Sequence, residues 1–552
     1  MRKAAGQSVR SHCSRSGMVL IIVLVVVMMV AFAGFGFLGA MSTEYEATAL
    51  NGAMLQAHAT MASAEAQVLW LAQLPPLRRE QLGGTDHNPG LFHGRIVSPA
   101  DGVAGSPQAA APGMPAVSAA RGPETRTSWR FSAVNSTMSA DGSSVVRFGM
   151  RSESARLHPA RILQWEQASP GAGREALMQL PGVSVALADC LLDWMDGDEQ
   201  VREFGAESEY YMALPTPYRS ANSVPVTLQE LLFVRGMTAE LLYGGSSGAG
   251  AGAAGNSVGE LLPQQDDFDP AMLNAENNDP LAALGSDAGD VNSVSANGGA
   301  DRRGLDEFLT LWSAERIQQN DGQARVRLNQ LNPQQLRTQL SGRLPANLVE
   351  FIASARQFGL QPVEGTQAAG PDGLYVIPSL AHLVDLSVQR PAASGGILEP
   401  VIRSEQPDAS LLFDLLQNVV TADTEQIVTG RIDPMVADLR VLSAIPGMGV
   451  ENASELVSRR DSGNPMESRS LLWLVSGGIM TIEEFRKVFP ELTDRSDVFQ
   501  MELIVFRESG GPMLRRRLIV DGASRPARKV YWETTTDQPL PCPREQLLPA
   551  AF

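Results

Sequence analysis

At 552 residues the chain is too long for one compact hydrophobic core, which points to about two to four domains. Hydrophobic residues make up 44% and charged ones 19%, with 51 glycines and 35 prolines, the composition of ordinary cores separated by generous loops. A net charge of −17 argues against a nucleic-acid partner, because phosphate binding needs concentrated Lys and Arg, and suits an acidic domain outside the cytoplasm.

Residues 1–17 hold Arg2, Lys3, Arg10 and Arg15 and no acid, and Gly17 is followed abruptly by the uncharged run Met18 to Met41. At about 1.5 Å per residue a helix of that length spans roughly 36 Å, enough to cross a bilayer core. The basic flank precedes the run, and the first acids, Glu44 and Glu46, follow it. The positive-inside rule then puts the N-terminus in the cytoplasm and everything beyond about residue 42 outside it, the topology of a single-pass inner-membrane protein with a periplasmic C-terminal domain. A secretory signal peptide has a shorter apolar core and a small-residue cleavage site after it. Here the run continues through Ser42 to Leu74 in a polar stretch rich in Ala, Leu, Met, Gln and Glu, all good helix formers. A single helix, apolar in its first half and amphipathic in its second, is the shape of a filament-subunit stem. An ordinary signal anchor on an unrelated periplasmic scaffold is the alternative at this point.

Gly17 directly before Met18 and the apolar helix resembles the type IV pilin and pseudopilin superfamily. The resemblance implies that prepilin peptidase removes residues 1–17 by cutting between Gly17 and Met18. Most such subunits carry Glu at mature position five, where it is thought to meet the charged N-terminus of a neighbour. Here Ile22 stands there, which narrows the resemblance to minor pseudopilin K of type II secretion systems, the member that lacks this Glu and occupies the filament tip. A carboxylate inside the membrane is costly unless another charge meets it, and a first subunit has none to meet.

Residues 75–158 read as the first part of a pilin-like head. A Pro/Gly/Ala-rich stretch runs to about Gly122 with one strand in FHGRIVS (92–98), and alternating strands follow at Trp129 to Val134 and Val145 to Arg151 around a Ser-Ala-Asp-Gly turn. Residues 159–243 form a first helical unit, in which Leu180-Pro181-Gly182-Val183 and then VALADCLLDWM predict a helix-hairpin-helix turn leading into an amphipathic helix. Asp193-Trp194, Asp196-Gly197-Asp198, Gly205, Glu207, Glu209, Tyr210-Tyr211, Pro217-Tyr218-Arg219, Ala221-Asn222 and Arg235-Gly236-Met237 follow in order. This series is similar to the inserted helical domain of the K family, where a DWxDxD element precedes an acidic, Tyr-rich loop and a helix ending in RGM.

Residues 244–304 are low in complexity, small and acidic, and cannot bury enough apolar surface to offset ordering, so a disordered insert is expected there. A second helical unit is read over 305–358, a loop-rich linker over 359–410 and a third helical unit over 411–495. The third holds the clearest hairpin, VLSAIPGMGVENASELVSRR, and the recurrence of Pro-Gly at 181 and 446 suggests a duplicated module. Alternating runs at Val498 to Phe506, Met513 to Val520 and Lys529 to Thr534, within 496–536, read as returning strands, and 537–552 as a tail. The expected fold class is therefore α+β: a long transmembrane and stem helix, a pilin-like α/β head, and a large all-helical insertion with helix-hairpin-helix-like turns.

Asp193, Asp196, Asp198, Glu207 and Glu209 are the convergent set of hard oxygen ligands, the kind calcium takes at loose geometry. By itself the DGD spacing is also that of a solvated helix C-terminus, and it lacks the EF-hand loop. The resemblance implies calcium in this domain, with Asp196, Asp198 and Glu207 as the ligands assigned. The hairpin Ile445-Pro446-Gly447-Met448-Gly449 also occurs in proteins that hold a DNA phosphate, which makes a DNA-handling, competence-type pseudopilin the second reading. Its neighbours Arg459 and Arg460 are offset by Glu451 and Glu455, so no nucleic acid is expected. The six histidines are scattered and no nucleophile, phosphate-loop or dinucleotide motif is present, so neither an enzyme nor a small-molecule substrate is expected. Cys190 and Cys542 either pair outside the cytoplasm or stay as separate thiols. The partners implied by the resemblance are the other minor pseudopilins, prepilin peptidase and the inner membrane.

Overall fold

The computed structural model describes residues 16–97, 128–138, 144–244, 303–361, 373–391, 395–462 and 470–548. The expected leader as far as residue 15 and the expected insert over 245–302 lie outside the described residues.

Helix α1, Ser16–Gln73, is a single rod. Its first half, from Val19 to Leu38, is apolar on every face and exposed on every face, a pattern suited to lipid or to neighbouring helices. In its second half Ala57, Met61, Ala64, Val68 and Leu71 are buried; their spacing of three and four residues draws one stripe along the helix. That stripe lies on a sheet.

The sheet has seven antiparallel strands: β1 (Arg95–Ile96), β2 (Trp129–Met138), β3 (Ser144–Phe148), β4 (Arg151–Ser152), β5 (Val498–Arg507), β6 (Leu514–Asp521) and β7 (Arg528–Thr534). Their order is β1-β2-β5-β6-β7, with β3 also beside β2 and β4 beside β5. Leu503 faces Ala133 and Val505 faces Phe131 across β5 and β2, while Met501 faces Leu518 across β5 and β6. Alternation along the central strand β5 serves two cores. Phe499, Met501, Leu503 and Val505 meet the α1 stripe, and Ile504 and Phe506 pack with Val134, Cys542 and Leu547 on the other face. At about 1.5–3 kcal/mol for each large side chain taken from water, this strip is the main fastening of the head to the stem.

Two polar clamps fix where along the stem the sheet sits. Gln56 Oε1 accepts from Trp129 Nε1 at 2.8 Å and from Arg507 at 2.6 Å. Glu65, buried, accepts from Arg516 of β6 and Lys529 of β7, each at 2.5 Å.

The strands depart from the sequence reading in three places. β2 runs on to Met138 because Asn135, Ser136 and Thr137 pair with β3. Within FHGRIVS only Arg95 and Ile96 pair, since Pro89–Phe92 closes a helical turn first. Arg151 belongs to a separate strand because the chain breaks step at Gly149 and Met150, whose N–H groups donate to Ala133 and Thr85 carbonyls; a Cβ at Gly149 would lie 2.0 Å from the Asp86 carbonyl oxygen.

Between β4 and β5 the chain builds the helical body. Its main helices are α2 (Pro159–Ala168), α3 (Ala172–Met178), α4 (Val185–Met195), α5 (Ser208–Met212), α6 (Pro333–Leu340), α7 (Ala346–Phe358), α8 (Ala409–Val419), α9 (Leu439–Ser443), α10 (Val450–Asp461) and α11 (Ile482–Val488). One continuous apolar cluster, from Leu157 to Leu492, joins the three stretches read as helical units. The Pro-Gly turns join α3 to α4 and α9 to α10. Gly182 (φ +74°) and Gly447 (φ +86°) take left-handed conformations there, open to Gly at no steric cost.

A short neck ties this body to the head. Asp497, just before β5, accepts from Arg79 at 2.5 Å and from the Arg316 N–H at 2.9 Å. Buried Glu153, just after β4, accepts the Thr310 hydroxyl and pairs with Arg156. The α+β class expected from the sequence, with a long N-terminal apolar helix, is borne out.

Candidate metal centre

Helix α4 starts at the N-cap Ser184, whose hydroxyl accepts the Leu187 N–H at 3.3 Å. The sequence predicts an amphipathic helix, yet α4 is buried nearly whole, from Leu187 to Met195. It carries two acids into the core, Asp189 and Asp193, whose side chains are 0% exposed. Buried carboxylates persist only when paired and hydrogen-bonded. Arg174 grips Asp189 through Nε at 2.7 Å and Nη2 at 3.0 Å, and the Phe204 N–H adds a bond at 3.2 Å. Asp193 accepts from Arg202 Nη1 at 2.6 Å and from the Arg202 N–H at 3.2 Å.

Asp196, the C-cap residue, accepts from the same Arg202 Nη1 at 2.5 Å. The following loop returns across α4 at Gly205, so close that a Cβ there would fall 1.8 Å from Asp193 Oδ2. Two residues later Glu207 enters the site at 1% exposure, and its Oε2 accepts the Ser220 hydroxyl at 3.2 Å. Asp193, Asp196 and Glu207 each offer an oxygen within 4.8 Å of the others. Below them Trp194 meets Tyr211 edge-on at 5.2 Å, and Tyr211 stacks on Tyr218 at 5.2 Å. The Tyr211 hydroxyl accepts the Arg235 N–H at 3.2 Å, which ties the Arg-Gly-Met segment to the site.

Of the three ligands assigned from sequence, Asp196 and Glu207 are brought together and Asp198 is not. Its Oδ1 accepts the Gln200 N–H at 2.8 Å, because the chain turns extended at Asp196 (ψ 173°) and carries residue 198 past the cluster. Asp193 takes the third place. The signal was its spacing of three from Asp196, which puts both on one face at the helix end. Glu209 on α5 is exposed and outside the set.

Three carboxylates against one guanidinium leave this pocket rich in negative charge. Burial, then the neighbouring Asp193, push the Glu207 carboxyl up to about 7. Burial likewise raises Asp193 and Asp196, with Arg202 pulling each back. Asp196 Oδ1 and Glu207 Oε1 are buried without a hydrogen-bond partner. Orphaned carboxylate oxygens at this separation fit a hard divalent cation, which would share Asp193 and Asp196 with Arg202 or displace it.

At the α9–α10 hairpin both Arg459 and Arg460 are engaged. Arg459 pairs with Glu455 at 2.6 Å, and Arg460 pairs with Asp461 at 3.0 Å and donates to the Ala437 carbonyl at 2.7 Å. Cys190 and Cys542 are both free and buried, in different cores.

Residues 166–243, which hold α4, the three carboxylates and the Tyr cluster, match the family described as type II secretion system (T2SS), protein K. The match covers this helical stretch and not the rest of the chain. The resemblance read from Asp193 to Met237 falls inside this match and is borne out. A curated relative, type II secretion system protein K of Aeromonas hydrophila, is 42% identical over 59 residues, 10% of this chain. The match spans 18% of that relative's length. Among solved structures, the crystal structure of the GspK-GspI-GspJ complex from the enterotoxigenic Escherichia coli type 2 secretion system is similar at 12% identity and a TM-score of 0.29, over 88% of this chain and 98% of that one. At that score the likeness carries no argument about fold or partners. The described helix Val19–Gln73 is long and apolar enough to cross a membrane.

Proposed function

We propose that this chain is a K-type minor pseudopilin that caps and starts a type II secretion pseudopilus. Prepilin peptidase removes residues 1–17, and the helix from Met18 then waits in the inner membrane with its C-terminal domain in the periplasm. There the stem packs beside those of the smaller minor pseudopilins, and the assembled tip supports protein export across the outer membrane. Its role is structural and not enzymatic.

The observation that carries this reading is the division of α1. One half is fastened to the sheet by the Ala57 to Leu71 stripe, and the other half is uncharged and bare, with Ile22 where a lateral partner's charge would otherwise be met. A bare apolar rod leaves lipid for other stems at little desolvation cost, and the absence of an acid removes the need for a subunit ahead of it. The helical body stands between β4 and β5 as bulk on the head.

In this reading Asp193, Asp196 and Glu207 would hold calcium, whose positive charge would offset theirs, and the three carboxylates would thereby keep the 197–207 loop against α4. Co-expression with the small minor pseudopilins of the same system, followed by detergent extraction and size-exclusion chromatography, tests the assembly role. A stable complex is expected, and elution of this chain alone would overturn it.

A further inference from the structure

Against a net charge of −17, the helical body holds one groove of the opposite sign. It encloses about 510 Å³ and is lined by Arg316, Arg325, Arg327 and Arg343 with glutamines that include Gln339 and Gln426, and by no carboxylate. Among the described residues none of these four arginines forms an ion pair with an acid, although most other buried or half-buried arginines here do. Arg316 donates Nε to the Ala523 carbonyl at 2.7 Å, and Arg325 donates Nε to the Gln318 carbonyl at 3.0 Å. The first bond orients the Arg316 fork, while Arg325 also lines an inner pocket beside Glu315, Asp423 and Asp494. Arg325 Nη2 is buried with no hydrogen-bond partner at all.

Guanidinium groups without an acid partner suit a ligand with planar, bidentate anionic groups. Burial, then the neighbouring Arg495, hold Arg325 down to about 10, with Asp494 and Glu315 partly offsetting them; it stays charged at neutral pH. Two observations choose among anions. No aromatic side chain lines the groove, so a nucleic-acid base has nothing to stack on. The groove also lies beyond the far end of the stem: a Cβ at Gly322 on its wall would meet Pro75 at 2.9 Å, and the Leu77 N–H donates to the Asn320 carbonyl at 3.0 Å. From Met41 to Gln73 the helix climbs about 48 Å at about 1.5 Å per residue, which carries the groove out of reach of the membrane that the apolar half would span. Apolar Ile317, Ala324 and Leu331 between the charges suit short side chains of an extended peptide.

We infer that this groove is a docking site for an acidic protein segment whose carboxylates engage Arg316, Arg327 and Arg343, with the Arg325 charge behind them. The inference stands apart from the cation site and from the tip assignment.

The test uses the full chain in detergent with a fluorescein-labelled hexaglutamate peptide, read by anisotropy. Binding is expected to weaken steeply as salt is raised, and R327Q/R343Q is expected to weaken it about tenfold or more, given what charge-assisted bonds of this kind contribute. Arg343 is exposed and Arg327 half-buried, so the variant should fold, with an unchanged melting curve as the check. Should the double variant melt early, R343Q alone is expected to weaken binding about threefold. R403Q, at an exposed arginine elsewhere, should leave binding unchanged. Equal binding by R327Q/R343Q would overturn the inference. So would capture of inorganic phosphate or phosphatidylglycerol vesicles without the peptide.

Discussion

Replacing Gly205 by Ala tests the geometry of the carboxylate cluster in one step. The new Cβ would sit 1.8 Å from Asp193 Oδ2 and 2.7 Å from its Cγ, against an ordinary contact of about 3.5–4.0 Å, so the carboxylate must swing away or the 197–207 loop must lift. Either movement breaks the bonds from Arg202 Nη1 and the Arg202 N–H to Asp193. Water cannot replace them at a side chain with 0% exposure. Hydrogen bonds to charged groups contribute about 1.5–3 kcal/mol each, but Arg202 keeps Asp196 as a partner, so a loss of about 3 kcal/mol is expected. A single melting temperature is ill-defined for a chain with two bodies. Local opening is the better readout, and hydrogen exchange in peptides covering 185–212 should quicken about 100-fold. Gly197, with nothing within 4 Å of its would-be Cβ, supplies the control: Gly197→Ala should leave exchange unchanged. Millimolar calcium should slow exchange of these peptides in the parent protein and not in Gly205→Ala. Parental exchange rates in Gly205→Ala would refute the close approach on which the site depends.

Leu503→Ala in the central strand, fully buried against the stem stripe, should destabilise the head by about 3 kcal/mol, seen as a lower denaturant midpoint at unchanged slope. Glu65→Ala leaves Arg516 and Lys529 without their shared partner and should increase proteolysis near residues 50–70 while leaving the helical body intact. Burial, opposed by the Met435 N–H and reinforced by Asp494, pushes the Asp433 carboxyl up to about 7. The folded state therefore holds this proton more tightly than the unfolded chain, so the contribution to stability is complete below about pH 4 and is lost as pH rises through 7. Asp433→Asn should accordingly slow hydrogen exchange around residue 433, relative to the parent at the same pH, more at pH 8 than at pH 5, and an equal effect at both would contradict the assignment.

Much of this architecture is visible along the chain because its periods are simple. The uncharged run from Met18 and the three-and-four spacing from Ala57 to Leu71 belong to one rod with two environments. The alternation over Val498 to Phe506 belongs to a strand covered on both faces, hence its near-continuous hydrophobicity. Helix α4 misleads for a related reason: its acids suggest a solvated face, but Arg174 and Arg202, outside the helix, neutralise them within the core. Ligand choice within the acidic cluster depends on where the backbone turns, and that turn at Asp196 carries Asp198 away and leaves Asp193 in its place. The arginine groove has no linear signature at all, since its residues come from separate segments around 316, 325–327 and 343, each unremarkable alone.

The proposal that this chain is a processed pseudopilin stands or falls on the start of its mature polypeptide. Intact mass spectrometry of the full-length protein recovered from membranes of cells that carry prepilin peptidase should show loss of residues 1–17 and a chain beginning at Met18, with Gly17→Asp blocking the cut. A chain that retains residue 1 in those cells, or normal cleavage of Gly17→Asp, would contradict it.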